Sequence, residues 1–161
     1  MNRRHFLTRA VGALAGTSAL VGVRAADAQT PVIVKVVKTE AEWRKVLTPA
    51  AFNVLRQEGT ERPYSSPLND EKRKGTFVCA GCDLPLFESR TKYDSGTGWP
   101  SFYDPIKGAV GTSVDTKLIY PRTEYHCARC EGHQGHVFED GPKPTGLRYC
   151  NNGVALKFVP A

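Results

Sequence analysis

The chain has 161 residues, 40% of them apolar, and a formal net charge of +6; this is enough for one domain with a real core and too little for two of ordinary size. Much of the positive charge sits at the start: residues 1–28 hold four arginines and one aspartate, and beyond them 18 basic residues face 15 acidic ones. A balance so near neutral argues against a nucleic-acid partner, and the one dense basic run, "EKRKG" (71–75), reads as a solvated turn.

Residues 1–28 read as a targeting segment outside the fold. Arg3 and Arg4 in "NRRHFL" precede an apolar run, "AVGALAGTSALVGV" (10–23), too short to span a bilayer, and "ADA" (26–28) forms a small-x-small cleavage site. Paired arginines before a weakly hydrophobic, Gly- and Ala-rich core resemble a twin-arginine export signal; the alternative is an uncleaved, membrane-anchoring N-terminus. Such a signal implies export of an already folded protein, to the periplasm in a cell with two membranes. Residues 29–38, "QTPVIVKVVK", form a β-branched leader, either a strand or a tether.

A single domain is expected over 39–161. Thr39 with Glu42 three residues on has capping-box spacing and predicts a short helix. Thr48 followed by Pro49 opens a second, ending near Gly59, with Ala51, Val54 and Leu55 on one face. Beyond residue 60 short apolar and aromatic runs alternate with Gly, Pro, Asp and Ser, a β-rich text with no repeat or linker.

Four of the five cysteines form two CxxC pairs, Cys79 with Cys82 and Cys127 with Cys130. Two intervening residues let one tight turn aim both sulfurs at a single ion, and two such turns complete a tetrahedral thiolate site. The expectation is one zinc per chain, structural because a closed thiolate shell leaves no place for water. Two disulfides are the competing reading for an exported chain.

Cys150 in "GLRYCNNG" is left without a partner. A free cysteine is either a buried spectator or a reactive thiol. In a regular strand Arg148 and Asn152 share its face, the first favouring thiolate and the second able to bond a polar ligand. Upstream, "GHQGHVFEDGP" brings His133, His136 and Asp140. Histidines near a thiolate read as proton donors, with a structural loop pair as the alternative.

Taken in order, "GTERPYSSPL", "CAGCDLPLFES", "KYDSGTGWPSFYDPI", "RTEYHCARCEGHQGHVFEDGPKPTG" and "RYCNN" resemble the methionine-R-sulfoxide reductase family, the MsrB type, over about a hundred residues. The resemblance implies a mainly β fold, two packed antiparallel sheets behind short helices. It implies Cys150 as the nucleophile that reduces methionine-R-sulfoxide, mainly within proteins, and becomes a sulfenic acid. His133 and His136 would protonate the oxygen, Asp140 would orient or tune that pair, and Arg148 and Asn152 would hold the oxygen and polarise the site. Trp99 would pack against the S-methyl group, its alternative being a core tryptophan held by Pro100 and Phe102. Two-cysteine relatives often carry a resolving cysteine where this chain has Thr97, so a one-cysteine form is expected, reduced by a thioredoxin-like protein or a small thiol and acting as a monomer. A non-catalytic zinc-ribbon module and a thiol peroxidase or redox sensor are the alternative functions.

Overall fold

A computed structural model describes residues 32–161. The export-signal reading of 1–28 and the first residues of the leader lie outside the described residues. The rest of the leader, together with the Thr39 cap, has no regular structure. It behaves as a tether: Val36 N–H donates to Arg129 O at 2.8 Å and Lys35 pairs with Glu131 at 2.7 Å. Ile33 and Val36 pack on the core while Val32, Val34 and Val37 stay exposed.

Helix α1 spans Glu40–Val46 and α2 spans Pro49–Gln57. The capping box forms as the spacing predicts, with Thr39 Oγ1 accepting from Glu42 N–H and the Glu42 carboxylate accepting from Thr39 N–H at 2.7 Å. In α2 the Thr48 cap and Pro49 satisfy the first turn, and the chain leaves through a left-handed Glu58. Its buried face is Ala51, Phe52, Val54 and Leu55. Neither helix is long enough to stand alone, so docking on the sheets holds them.

Among the described residues nine strands make two antiparallel sheets. They are β1 (Gly75–Cys79), β2 (Pro85–Glu88), β3 (Lys92–Tyr93), β4 (Ser101–Phe102), β5 (Val110–Asp115), β6 (Arg122–Cys127), β7 (His133–Phe138), β8 (Arg148–Asn151) and β9 (Leu156–Pro160). The smaller sheet runs β2-β1-β9 and the larger β3-β4-β8-β7-β6-β5. Fold class and order of helices and strands therefore agree with the sequence.

The sheets meet through aromatic rings. Phe77 and Phe87 of the small sheet face Phe102, Tyr125 and Tyr149 of the large one, with Phe87 stacked on Phe102 at 4.2 Å between ring centres. Phe77, Phe87, Phe102 and Tyr125 are fully buried, each contributing about 2–3 kcal/mol by area. Side chains alternate across a strand, so Phe102, Tyr149 and Tyr125 turn inward and their neighbours Ser101, Cys150 and Glu124 turn to the outer face. That outer face carries the chemistry.

Candidate functional site

The two CxxC segments are built as copies of one turn. Asp83 N–H donates to Cys79 O and Glu131 N–H to Cys127 O, both at 2.9 Å. Cys79 N–H donates to Leu84 O and Cys127 N–H to Gly132 O. Asp83 (φ 58°) and Glu131 (φ 57°) both sit in the left-handed region, an uncommon place for a residue with a Cβ. The turns bring Cys79 Sγ to 3.6 Å from Cys130 Sγ and Cys82 Sγ to 3.5 Å from Cys127 Sγ, with all four sulfurs within 4.8 Å. These are not disulfide separations, which are about 2.05 Å. A tetrahedral ion with 2.3 Å metal–sulfur bonds has sulfur–sulfur edges of about 3.8 Å, so the cluster fits a metal. The hydrogen bonds shared within the cluster hold Cys127 and Cys82 below the ordinary thiol range and push Cys79 and Cys130 above it, so without an ion the four sulfurs do not all ionise together.

Cys150 lies on β8 in the middle of the large sheet. Its neighbours across the strands are Ser101 on β4 and His136 on β7, and His136 in turn faces Glu124 on β6. Directly paired residues share a face, so Ser101, Cys150, His136 and Glu124 form one row. Strands β7 and β8 approach closely at Gly135, where a Cβ would lie 1.9 Å from Cys150 O; a glycine is required there.

In a regular strand His133 and His136, three apart, point to opposite faces. The register shifts between Tyr125 and His126: Tyr125 pairs with Gly135, but His126 pairs with His133, so Gln134 is the extra residue of a bulge. The bulge returns both histidines to one side, their rings 5.4 Å apart. Each is oriented by a carboxylate. His133 Nδ1–H donates to Glu124 Oε1 at 2.8 Å, and His136 Nε2–H donates to Asp115 Oδ2 at 2.7 Å. Glu124, nearly inaccessible, also accepts from His126 and Ser113; burial pushes its carboxyl up, and these three donors more than reverse that. Lys117 N–H, His136 and Arg122 together hold Asp115 well below the usual carboxylate range.

Donation to carboxylates fixes the tautomers: the lone pair of neutral His133 is on Nε2 and that of neutral His136 on Nδ1. Burial pushes His136 below its ordinary 6.5 against the pull of Asp115, so it is neutral at pH 7. His133 Nε2 is buried without a partner.

One expectation needs correction and another is narrowed. Asp140 does not touch the histidines: it takes a bidentate pair from Arg148, at 2.7 and 2.8 Å, and fixes that guanidinium over the Phe138 ring. Asp140 is exposed and bordered by loop, so it reaches along its own turn rather than across the sheet. Asn152 is held by the scaffold and keeps one Nδ2 N–H uncommitted at the cavity wall. Its Oδ1 accepts from Glu61 N–H and its Nδ2 donates to Gln134 O, both at 3.0 Å, which makes it a strut. Glu61 closes the same corner. Its carboxylate takes Gly153 and Val154 N–H, and its carbonyl takes Trp99 Nε1–H at 3.1 Å. Trp99 is therefore half-exposed and aimed, with its indole nitrogen anchored, instead of packed in the core.

These groups enclose a cavity of about 130 Å³ lined by Trp99, Phe138, Arg122, His136, Cys150 and Asn152, among others. A space of that size suits one short side chain. Beneath Cys150 a hydroxyl chain links Thr97 to Ser95 and Ser95 to Ser101, each at 2.8 Å. Burial pushes the Cys150 thiol above its ordinary 9.0, although Arg148 and the Thr97 hydroxyl pull the other way. Arg148 thus favours the thiolate as expected, but desolvation outweighs it, and the resting pair is thiol and neutral imidazole.

Asp115, Glu124, Glu61 and Arg122 do not stand out in the sequence. Glu124 has one usable signal, a carboxylate in the middle of an aromatic strand, "RTEYHC". Asp115 and Arg122 flank a hairpin tip, where acids and bases are ordinary.

Residues 47–160 match the family model described as SelR domain. A peptide methionine sulfoxide reductase MsrB of Pseudomonas putida (strain W619) is 56% identical over 127 residues, covering 78% of this chain and 96% of that protein. Proteins of the same name from Agrobacterium fabrum (strain C58 / ATCC 33970), 53% identical over 78% of this chain and 94% of that protein, and from Methanosarcina barkeri (strain Fusaro / DSM 804), 57% identical over 75% and 86%, are similarly close.

Proposed function

Because the chain belongs to the SelR family of peptide methionine sulfoxide reductases, the MsrB type, we infer that it reduces methionine-R-sulfoxide to methionine and that Cys150 is the thiol that carries the oxygen away. The observation that supports Cys150 is its place: it is the one cysteine outside the four-sulfur cluster, and it opens into a side-chain-sized cavity beside Trp99 and His136.

The reaction follows from the resting protonation. Neutral His136, held by Asp115 through Nε2, takes the Cys150 proton as the sulfur attacks the sulfoxide sulfur. The sulfur–oxygen bond breaks as the oxygen receives that proton and transfers to Cys150, giving methionine and cysteine sulfenic acid. His133, held by Glu124, offers its unpartnered Nε2 in the same corner. Arg148, fixed by Asp140, supplies positive charge while the sulfur is anionic. Trp99 forms the apolar wall for the methyl group, to which a sulfur–aromatic contact adds modest attraction.

Thr97 holds a hydroxyl where two-cysteine relatives place a thiol, and the remaining cysteines are clustered with one another. The sulfenic acid is therefore reduced from outside, two external thiols yielding a disulfide, water and the regenerated Cys150; a thioredoxin-like protein or small thiol fits this step. Zinc is the proposed ion of the four-cysteine site, where a closed sulfur shell makes it structural. Substrate is oxidised methionine mainly in proteins, the pocket is built from a single chain acting as a monomer, and the sequence of residues 1–28 supports export by the twin-arginine route to the periplasm. Turnover of the R epimer of a methionine sulfoxide peptide, compared with the S epimer and with hydrogen peroxide, tests the reading. Activity on the R epimer alone is expected; preferential reduction of peroxide would replace it with a thiol peroxidase.

A further inference from the structure

Gln134 is fully buried, yet it is polar and sits between the two histidines. As the extra residue of the β7 bulge, it turns its side chain inward, away from the pocket and toward the cysteine cluster. Its amide donates to Cys79 Sγ at 3.5 Å and to Gly132 O at 3.4 Å. Its main chain works on the other side: Gln134 O accepts from Asn152 N–H at 2.9 Å and from Asn152 Nδ2 at 3.0 Å, two residues beyond Cys150. One residue thus touches the sulfur cluster with its side chain and the Cys150 loop with its carbonyl.

The amide orientation follows from its partners. Both acceptors lie on the nitrogen side, and a flipped amide would aim a carbonyl at the Gly132 carbonyl. The opposite end, Oε1, is buried without a partner. Packing alone would favour an apolar side chain of that length, which leaves no orphan oxygen. The glutamine is explained by what its N–H groups do.

We propose that Gln134 is a positioning residue that couples the four-thiolate site to the Cys150 pocket. The inference rests on the reading of the four cysteines as a metal site. A metal-bound thiolate accepts an N–H strongly and a neutral thiol accepts it weakly, so the Gln134–Cys79 bond is firm only while the cluster is loaded. With the bond in place the bulge is pinned, and His133 and His136 share a face. Without it the bulge relaxes toward regular pairing, which turns one histidine away and releases Asn152. Coupling is reciprocal, so the same bond tightens the hold on the metal.

The test compares wild-type protein with Gln134→Met, which keeps length and volume and removes the amide. Both are loaded with cobalt. The variant is expected to bind cobalt about tenfold more weakly, to shift the sulfur-to-cobalt charge-transfer band, and to lose about tenfold in kcat at nearly unchanged KM. A variant equal to wild type in cobalt affinity and kcat overturns the proposal. So does one that loses kcat while its cobalt affinity and spectrum stay the same. Wild-type protein that takes up no cobalt overturns the metal reading, and this inference with it, without touching the assignment of Cys150. If Gln134→Met does not fold, the wild-type protein loaded with isotope-enriched cadmium decides by NMR. A through-bond coupling between the metal and the Gln134 side-chain protons is expected, and its absence refutes the link.

Discussion

The four paired cysteines and Cys150 are held by different kinds of structure. Each pair is made locally, by a turn whose hydrogen bonds close within five residues, and the turns need only be brought face to face. Cys150 gains its surroundings from four other strands and two loops: Ser101, His136, Glu124, Asp115 and the Glu61 corner are all remote in sequence. The difference explains why the metal site is legible from spacing alone and the reactive site is not. In the proposed mechanism it also separates what each set does, one fixing shape and the other changing chemistry.

Single substitutions should divide along that line. Cys150→Ser is expected to reduce turnover by about four orders of magnitude or more while metal content and thermal unfolding stay as in wild type. Residual activity within tenfold of wild type would erase the distinction. Cys127→Ser should do the converse. It removes one ligand from a buried shell, and the metal content measured after purification should fall with the melting temperature, because several kcal/mol is a large part of a total near 5–15 kcal/mol.

The carboxylate–histidine pairs belong to the reactive side. Glu124→Gln should lower kcat by about 10–100-fold with little change in KM, since His133 loses its orienting charge. The pH dependence of kcat/KM has a defined shape. His136 titrates below its ordinary 6.5 and Cys150 above its ordinary 9.0, so thiol and neutral imidazole coexist between these limits. A broad plateau is expected, falling on the acid side as His136 gains a proton and on the alkaline side as Cys150 loses the one destined for oxygen. Asp115 raises the His136 pKa, so Asp115→Asn should move the acid limb to lower pH. A single rise near pH 8 would instead indicate a thiolate-limited reaction.

The smallest effect lies in the metal turns. Asp83 occupies a left-handed conformation that glycine adopts freely, and its ion pair with Lys157 is exposed. Asp83→Gly should therefore change stability by no more than about 1 kcal/mol, toward greater stability, with activity unaffected.

Local signals carried well into the fold. The capping box at Thr39, the Thr48-Pro49 start and the β-rich text after residue 60 all match, because each depends on neighbours within a few residues. Cys150, His136 and Trp99, each singled out in the sequence, line one pocket. The pairing of Asp140 with Arg148, and of the histidines with Glu124 and Asp115, depends on strand register and on a bulge at Gln134. Neither is written in spacing. Desolvation of Cys150 is likewise a property of the assembled pocket, and it reverses the charge state that Arg148 alone suggests.

Trapping the product of one turnover shows whether Cys150 itself takes the oxygen. Protein freed of reductant, given excess methionine-R-sulfoxide peptide and then a sulfenic-acid reagent, should yield one equivalent of methionine and an adduct on Cys150, with Cys79, Cys82, Cys127 and Cys130 unmodified. A disulfide between Cys150 and any of those four, or methionine formed with Cys150 unmodified, would contradict that role.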